Sequence, residues 1–310
     1  MITDRSILSE RTLLQWVERF YEDGARVQKV TPLLGGISAA VYLISISMEG
    51  QADREVVLRQ FTNKDWLKDE PDLVLHEAAS LAIAAQANIQ TPGLIGEDPT
   101  GEHSGIPSVL MTKLDGRVDL QPQDMKKWLS NIVDAMVRIH QVQISGEWSW
   151  EYRAYRDMDH IQVPAWTRQP HLWEEAKSRL SRFRPQVHPV FIHRDFHPTN
   201  FLWVGEDLSG VVDWVNACRG PAGIDLGHCR VNLAQLYGVE TADLLLQFYK
   251  SHPDRATEYD PYWDLITFMD FHMDKPTVYG GWEALGIQHL TDDLMLDRCE
   301  IYLHSILARF

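Results

Sequence analysis

Residues 191–216 constrain this chain more than any other stretch. They read Phe-Ile-His-Arg-Asp-Phe-His-Pro-Thr-Asn-Phe-Leu-Trp-Val-Gly-Glu-Asp-Leu-Ser-Gly-Val-Val-Asp-Trp-Val-Asn. Apolar runs at Val190 to Ile192 and Phe201 to Val204 flank a polar loop, and Gly205-Glu206-Asp207 turns the chain into a further run that ends at Asp213. That is the pattern of short strands joined by turns. Asp195 is followed by Asn200 and then by Asp213, each at the end of an expected strand. A carboxylate such as Asp195 accepts or orients a hydroxyl proton. An amide oxygen and a second carboxylate, Asn200 and Asp213, are the hard donors that Mg²⁺ takes alongside phosphates. A polar hairpin whose acids only cap turns is the plainer reading of the same residues.

With His193, Asp195, His197-Pro198, Asn200, Asp213-Trp214, Gly220-Pro221 and Ile224-Asp225-Leu226 in view, the segment resembles the aminoglycoside phosphotransferase and choline kinase family of small-molecule kinases. The His-Pro after the first aspartate and the Trp after the second set it apart from protein kinases, and no Ala-Pro-Glu follows. One position departs: many members carry Gly where this chain has Arg194. The resemblance covers roughly residues 30–230. It implies an α+β, bilobal protein-kinase-like fold, with a small antiparallel-sheet lobe over residues 1–113 and a mainly helical lobe over 114–310. It also implies Mg²⁺-dependent transfer of the γ-phosphoryl group of ATP or GTP to a hydroxyl of a small molecule. Asp195 would then be the catalytic base with His193 beside it, Asn200 and Asp213 the metal ligands, and Asp225 a brace for the loop.

Residues 4–23 have helical spacing of Ile7, Leu8, Leu13, Leu14, Trp16, Val17 and Phe20, with Gly24 as a stop. Residues 30–47 hold two strand-like runs around Gly35-Gly36-Ile37-Ser38, where glycines allow backbone N–H groups to approach a phosphate. A turn between strands is the plainer reading of those glycines. Residues 55–61 read as a strand carrying Arg59, and residues 72–87 as a helix carrying Glu77. The resemblance makes Arg59 the phosphate-gripping cation, with Lys64 as its rival, and Glu77 the group that orients it. It makes Met111 to Lys113 the hinge whose backbone meets the purine. His76 is expected on a polar helix face and His140 in a core.

Residues 123–143 give the clearest helix, and residues 144–170 look loop-rich. Helices are also expected over residues 171–184, from Asp225 to about Leu236, over 241–250 and over 290–309. Residues 259–271 interleave Asp260, Asp264 and Asp270 with aromatic rings. They read either as an amphipathic helix with a solvated acidic face or as a pocket that holds an amine by ion pairing and cation–π contact.

Composition excludes several classes. The formal net charge is −15, which disfavours nucleic acid and acidic membrane as partners. Residues 240–300 hold 4 Lys+Arg against 13 Asp+Glu, which suits either plain solubility or a cationic acceptor. No apolar run is long enough to span a membrane. The N-terminal segment lacks a signal peptide's apolar core, and Cys218, Cys229 and Cys299 read as reduced thiols of a cytoplasmic protein. The oligomeric state stays open. Two other functions fit the same residues: a nucleotide-binding protein without transfer activity, and a metallohydrolase using His193, Asp195 and His197.

Overall fold

The computed structural model describes residues 4–21, 24–33, 39–144, 146–182 and 184–310. The chain divides into two units, one of Met1–Ala85 and Gln90–Leu114, the other of Gln86–Ile89 and Asp115–Phe310.

The first unit starts with helix α1 (Asp4–Glu18), which stops short of Gly24. Strands β1 (Arg26–Pro32), β2 (Ala40–Ser47) and β3 (Arg54–Gln60) follow. Then come helices α2 (Lys64–Asp69) and α3 (Leu73–Ala84) and strands β4 (Leu94–Asp98) and β5 (Ser108–Thr112). The strands pair antiparallel in the order β1-β2-β3-β5-β4. Period-two alternation drives Ile44 and Ile46 of β2, and Val56 and Leu58 of β3, onto one face, where Trp16 and Val17 of α1 cover them. Each such side chain contributes about 1.5–3 kcal/mol when fully buried. Gly96 sits at a register shift in β4 because a Cβ there would lie 2.1 Å from the Phe20 ring. Helix α3 is buried on most of its surface, so His76 is enclosed and the polar face expected for it does not exist. Gly35, Gly36 and Ser38 lie outside the described residues.

The second unit holds α4 (Met125–His140), whose start Asp124 caps by accepting from Lys126 N and Lys127 N at 2.9 and 3.0 Å. Residues 146–169 carry a short 3₁₀ turn at Met158–His160 and an isolated bridge from Glu151 to Arg219, in keeping with a loop-rich stretch. Helix α5 (Pro170–Arg182) leads to β6 (Val190–Ile192), β7 (Phe201–Val204), β8 (Asp207–Val211) and β9 (Cys218–Gly220). β6 pairs with β9 and β7 with β8, both antiparallel. Helices α6 (Ala222–Tyr237), α7 (Val239–Ser251), α8 (Pro261–His272), α9 (Gly280–Ala284) and α10 (Asp292–Leu307) complete it.

Two glycines let α6 and α8 approach closely. A Cβ at Gly223 would fall 2.5 Å from the Trp263 ring, and one at Gly227 would fall 2.5 Å from Thr267 Oγ1. That approach buries most of α8, which corrects the solvated acidic face expected of residues 259–271. Asp264 is enclosed and ion-paired with Arg230, and Asp260 caps α8 by accepting from Tyr262 N at 2.9 Å. Among the described residues no helix is long and apolar enough to cross a membrane.

Candidate active site

The loop between β6 and β7 is tied to the start of α6. His193 N–H and Arg194 N–H donate to the two oxygens of Asp225 at 2.9 and 2.7 Å, and His140 Nε2 donates to the same carboxylate at 2.9 Å. Three donors on one buried carboxylate satisfy its oxygens and fix the loop's first residues. Arg194 has φ +66 and Asp213 φ +69. The left-handed region costs an ordinary L-residue roughly 1–2 kcal/mol, so glycine suits position 194 and an arginine there must be held. His228 Nδ1 donates to the Arg194 carbonyl at 2.8 Å, and the Arg194 guanidinium donates to Arg153 O at 2.7 Å while lying 4.2 Å from the Tyr155 ring centroid.

Asp195 follows this corner. Asn200 Nδ2 donates to the Asp195 carbonyl at 2.8 Å and to its Oδ2 at 3.1 Å. The amide nitrogen is therefore turned to Asp195 and the Asn200 oxygen away from it. His197 Nε2 and His228 Nε2 lie 3.6 and 3.7 Å from Asp195 Oδ1. Both are beyond hydrogen-bond range. Burial pushes the Asp195 carboxyl up, but the imidazoles of His197, then His228 and His193, outweigh it and hold the group below the usual carboxylate range. Burial drives His228 down to about 4, against the attraction of Asp195. The His228 ring is enclosed, and the hydrogen on its Nδ1 binds a carbonyl.

His193 is fully enclosed, with its ring 4.5 Å from that of Trp214 and its Nε2 donating to the Val212 carbonyl at 2.9 Å. It anchors the residue before Asp213 from inside the protein. His193, Asp195 and His197 also fail as a metal set. Among the described residues no group of three or more His, Cys, Asp or Glu side chains can hold a metal ion.

In the first unit, Arg59 of β3 and Glu77 of α3 form a buried ion pair at 3.1 Å. Lys64 begins the neighbouring α2. Met111 lies within the sheet, in register with Val57 on one side and Leu94 on the other. Lys113 lies just past β5 and pairs with Glu55 at 2.8 Å.

The profile of the phosphotransferase enzyme family designated APH matches residues 29–262. The chain belongs to that family. Solved structures of similar fold include a thermostable mutant of aminoglycoside phosphotransferase APH(4)-Ia, at 16% identity over 96% of this chain and 98% of that one, with a TM-score of 0.61. Choline kinase LicA from Streptococcus pneumoniae gives 13% identity over 97% and 99% of the two chains, with a TM-score of 0.60. The streptomycin–ATP complex of APH(2")-IIa gives 12% identity over 81% and 83%, with a TM-score of 0.53. No curated protein matches the chain. As a member of this family the protein is a phosphotransferase with a protein-kinase-like α+β fold.

This phosphotransferase brings Asp195 and Asn200 together in one loop, with Asp225 bonded to the amides of that loop. It does not present Asp264 to a ligand, because Arg230 and the Tyr259 hydroxyl already occupy that carboxylate. Sequence reasoning passed over His228. Its signal was present, three residues after Asp225 and so on the same face of a helix.

Proposed function

We propose that this phosphotransferase moves the γ-phosphoryl group of ATP or GTP to a hydroxyl of a small molecule, with Mg²⁺ as the metal. The observation that carries the reading is the Asn200 amide on Asp195. It fixes the carboxylate that takes a proton, and it leaves the amide oxygen as the atom suited to a hard cation. The residues fit Mg²⁺: Asn200 through that oxygen and Asp213 through its carboxylate would hold it, with substrate phosphates completing the shell. Bound there, the metal neutralises charge on the phosphate oxygens.

The chain's own work is positioning. Asp195 orients the acceptor hydroxyl and receives its proton. The hydroxyl oxygen forms a bond to the γ-phosphorus, the bond to the bridging oxygen breaks, and the nucleoside diphosphate leaves with that electron pair. Asp225 and His193 keep the loop in place from behind. Arg59, oriented by Glu77, is the phosphate-gripping cation of the first unit, where an always-charged guanidinium replaces lysine. The Gly35 to Ser38 loop is proposed to cover the phosphates.

Thermal melts with ATP and with GTP, each with and without Mg²⁺, test the reading. A rise that needs Mg²⁺ and disappears in Asp213→Asn is expected. Equal shifts with and without the metal would overturn the assignment of Asp213.

A further inference from the structure

His228 presents a second hydrogen-bond acceptor beside Asp195. Its Nδ1 lies 2.8 Å from the Arg194 carbonyl. A carbonyl only accepts, so the hydrogen of the neutral ring sits on Nδ1 and Nε2 is left with a lone pair. Two rings hold the plane of the imidazole: His197, stacked at 5.4 Å and 13°, and Phe271, at 4.6 Å. Nε2 then faces Asp195 Oδ1 across 3.7 Å. No described residue donates to His228 Nε2, and Asp195 Oδ1 has His197 Nε2 only at 3.6 Å. The His228 ring is enclosed and Asp195 is partly open, so two acceptors face each other where the donors of a ligand can reach them. Burial, which drives the ring down to about 4, keeps it neutral at ordinary pH.

We infer that His228 Nε2 binds the acceptor molecule directly, so that the preferred acceptor carries a second donor next to its reacting hydroxyl. The reacting O–H donates to Asp195 Oδ1, and an O–H or N–H on the adjacent carbon donates to His228 Nε2. The substrate class is a vicinal diol or a vicinal amino alcohol with at least one hydrogen on nitrogen. A trimethylammonium alcohol has no such hydrogen and leaves Nε2 unpaired. This inference rests on the phosphotransfer reading above.

The test uses probe pairs in which methylation removes the second donor: ethanolamine against choline, and propane-1,2-diol against 1-methoxypropan-2-ol, each assayed for phosphorylation with Mg·ATP. The donor-bearing member of each pair is expected to show kcat/KM higher by on the order of tenfold to a hundredfold. His228→Asn keeps a donor near the Arg194 carbonyl and removes Nε2. It should melt like the wild type and lose the preference through KM. A preference that survives His228→Asn, an equal rate within each pair, or hydrolysis of Mg·ATP with neither pair phosphorylated would each overturn the inference. Nitrogen-15 spectra of labelled histidine separate this from failure of the phosphotransfer reading, because they need no activity. An Nδ1–H tautomer for His228 is expected, and an Nε2–H tautomer overturns its role even if Mg·ATP never binds.

Discussion

Two acidic stretches of the second unit carry aspartates among aromatic residues, and the fold uses them in opposite ways. In residues 193–213 the carboxylates stand at strand ends and corners. Asp195 keeps about a quarter of its side chain exposed, and one of its oxygens is met only at long range by two imidazoles. In residues 259–272 the backbone is a helix pressed against α6 through Gly223 and Gly227, and its acids are drawn inward. Asp264 pairs with the enclosed Arg230, which also bonds Asp243 at 2.8 Å and the Ala242 carbonyl at 3.1 Å. An aspartate in a left-handed corner or a short loop stays partly exposed. The same residue on a buried helix face must find a cation or a cap, because an unpaired charge is costly inside a protein.

Substitutions can break or sharpen that contrast. The largest effect is expected from Asp264→Ala, which leaves Arg230 short of one partner. Loss of about 3 kcal/mol of stability in urea unfolding is expected, with turnover per folded molecule unchanged. A stable variant with a raised acceptor KM would show that α8 does line a pocket. Asp195→Asn should do the reverse, cutting turnover at least about a hundredfold with the melting point and Mg·ATP binding kept. Full activity in a phosphate-release assay would remove Asp195 as the base.

Asp270 lies between the two cases. Burial raises its carboxyl to about 6, although the Tyr155 and Arg156 amides and the Arg194 charge oppose this. A raised folded pKa contributes stability at low pH, and that contribution is lost as pH rises from the unfolded value through about 6. Asp270→Asn should therefore be more stable than wild type at pH 8 by on the order of 2 kcal/mol, with no difference below the unfolded carboxylate range. A gap that does not change with pH, measured by melts across that window, would show the carboxylate is not strained. The smallest effect is expected from Asp260→Ala, about 1 kcal/mol for a lost helix cap and no change in acceptor preference. A changed preference would return Asp260 to the acceptor site.

Much of the active loop was legible in the chain itself. Asp195, Asn200 and Asp225 are close in sequence, and their spacing over short strands leaves few ways to arrange them. The helix over 125–140 was equally plain, since one apolar face repeats through Trp128, Ile132, Met136 and Ile139. The polar face expected for His76 was not legible, because a helix covered on most sides loses the exposed face that a local reading assigns it.

By itself the sequence determined the family, the strand-loop-strand unit and the acids that serve it, because those depend on residue types at short separation. Only the tertiary structure decided which acids remained at a surface and which were neutralised. Arg230 and Asp264 are thirty-four residues apart. The close approach of α6 and α8 joins them, and no local pattern encodes it. The same holds for His228, which meets Asp195 only because Asp225 ties the loop to α6. That tie also places the Arg194 carbonyl where it fixes the tautomer of His228.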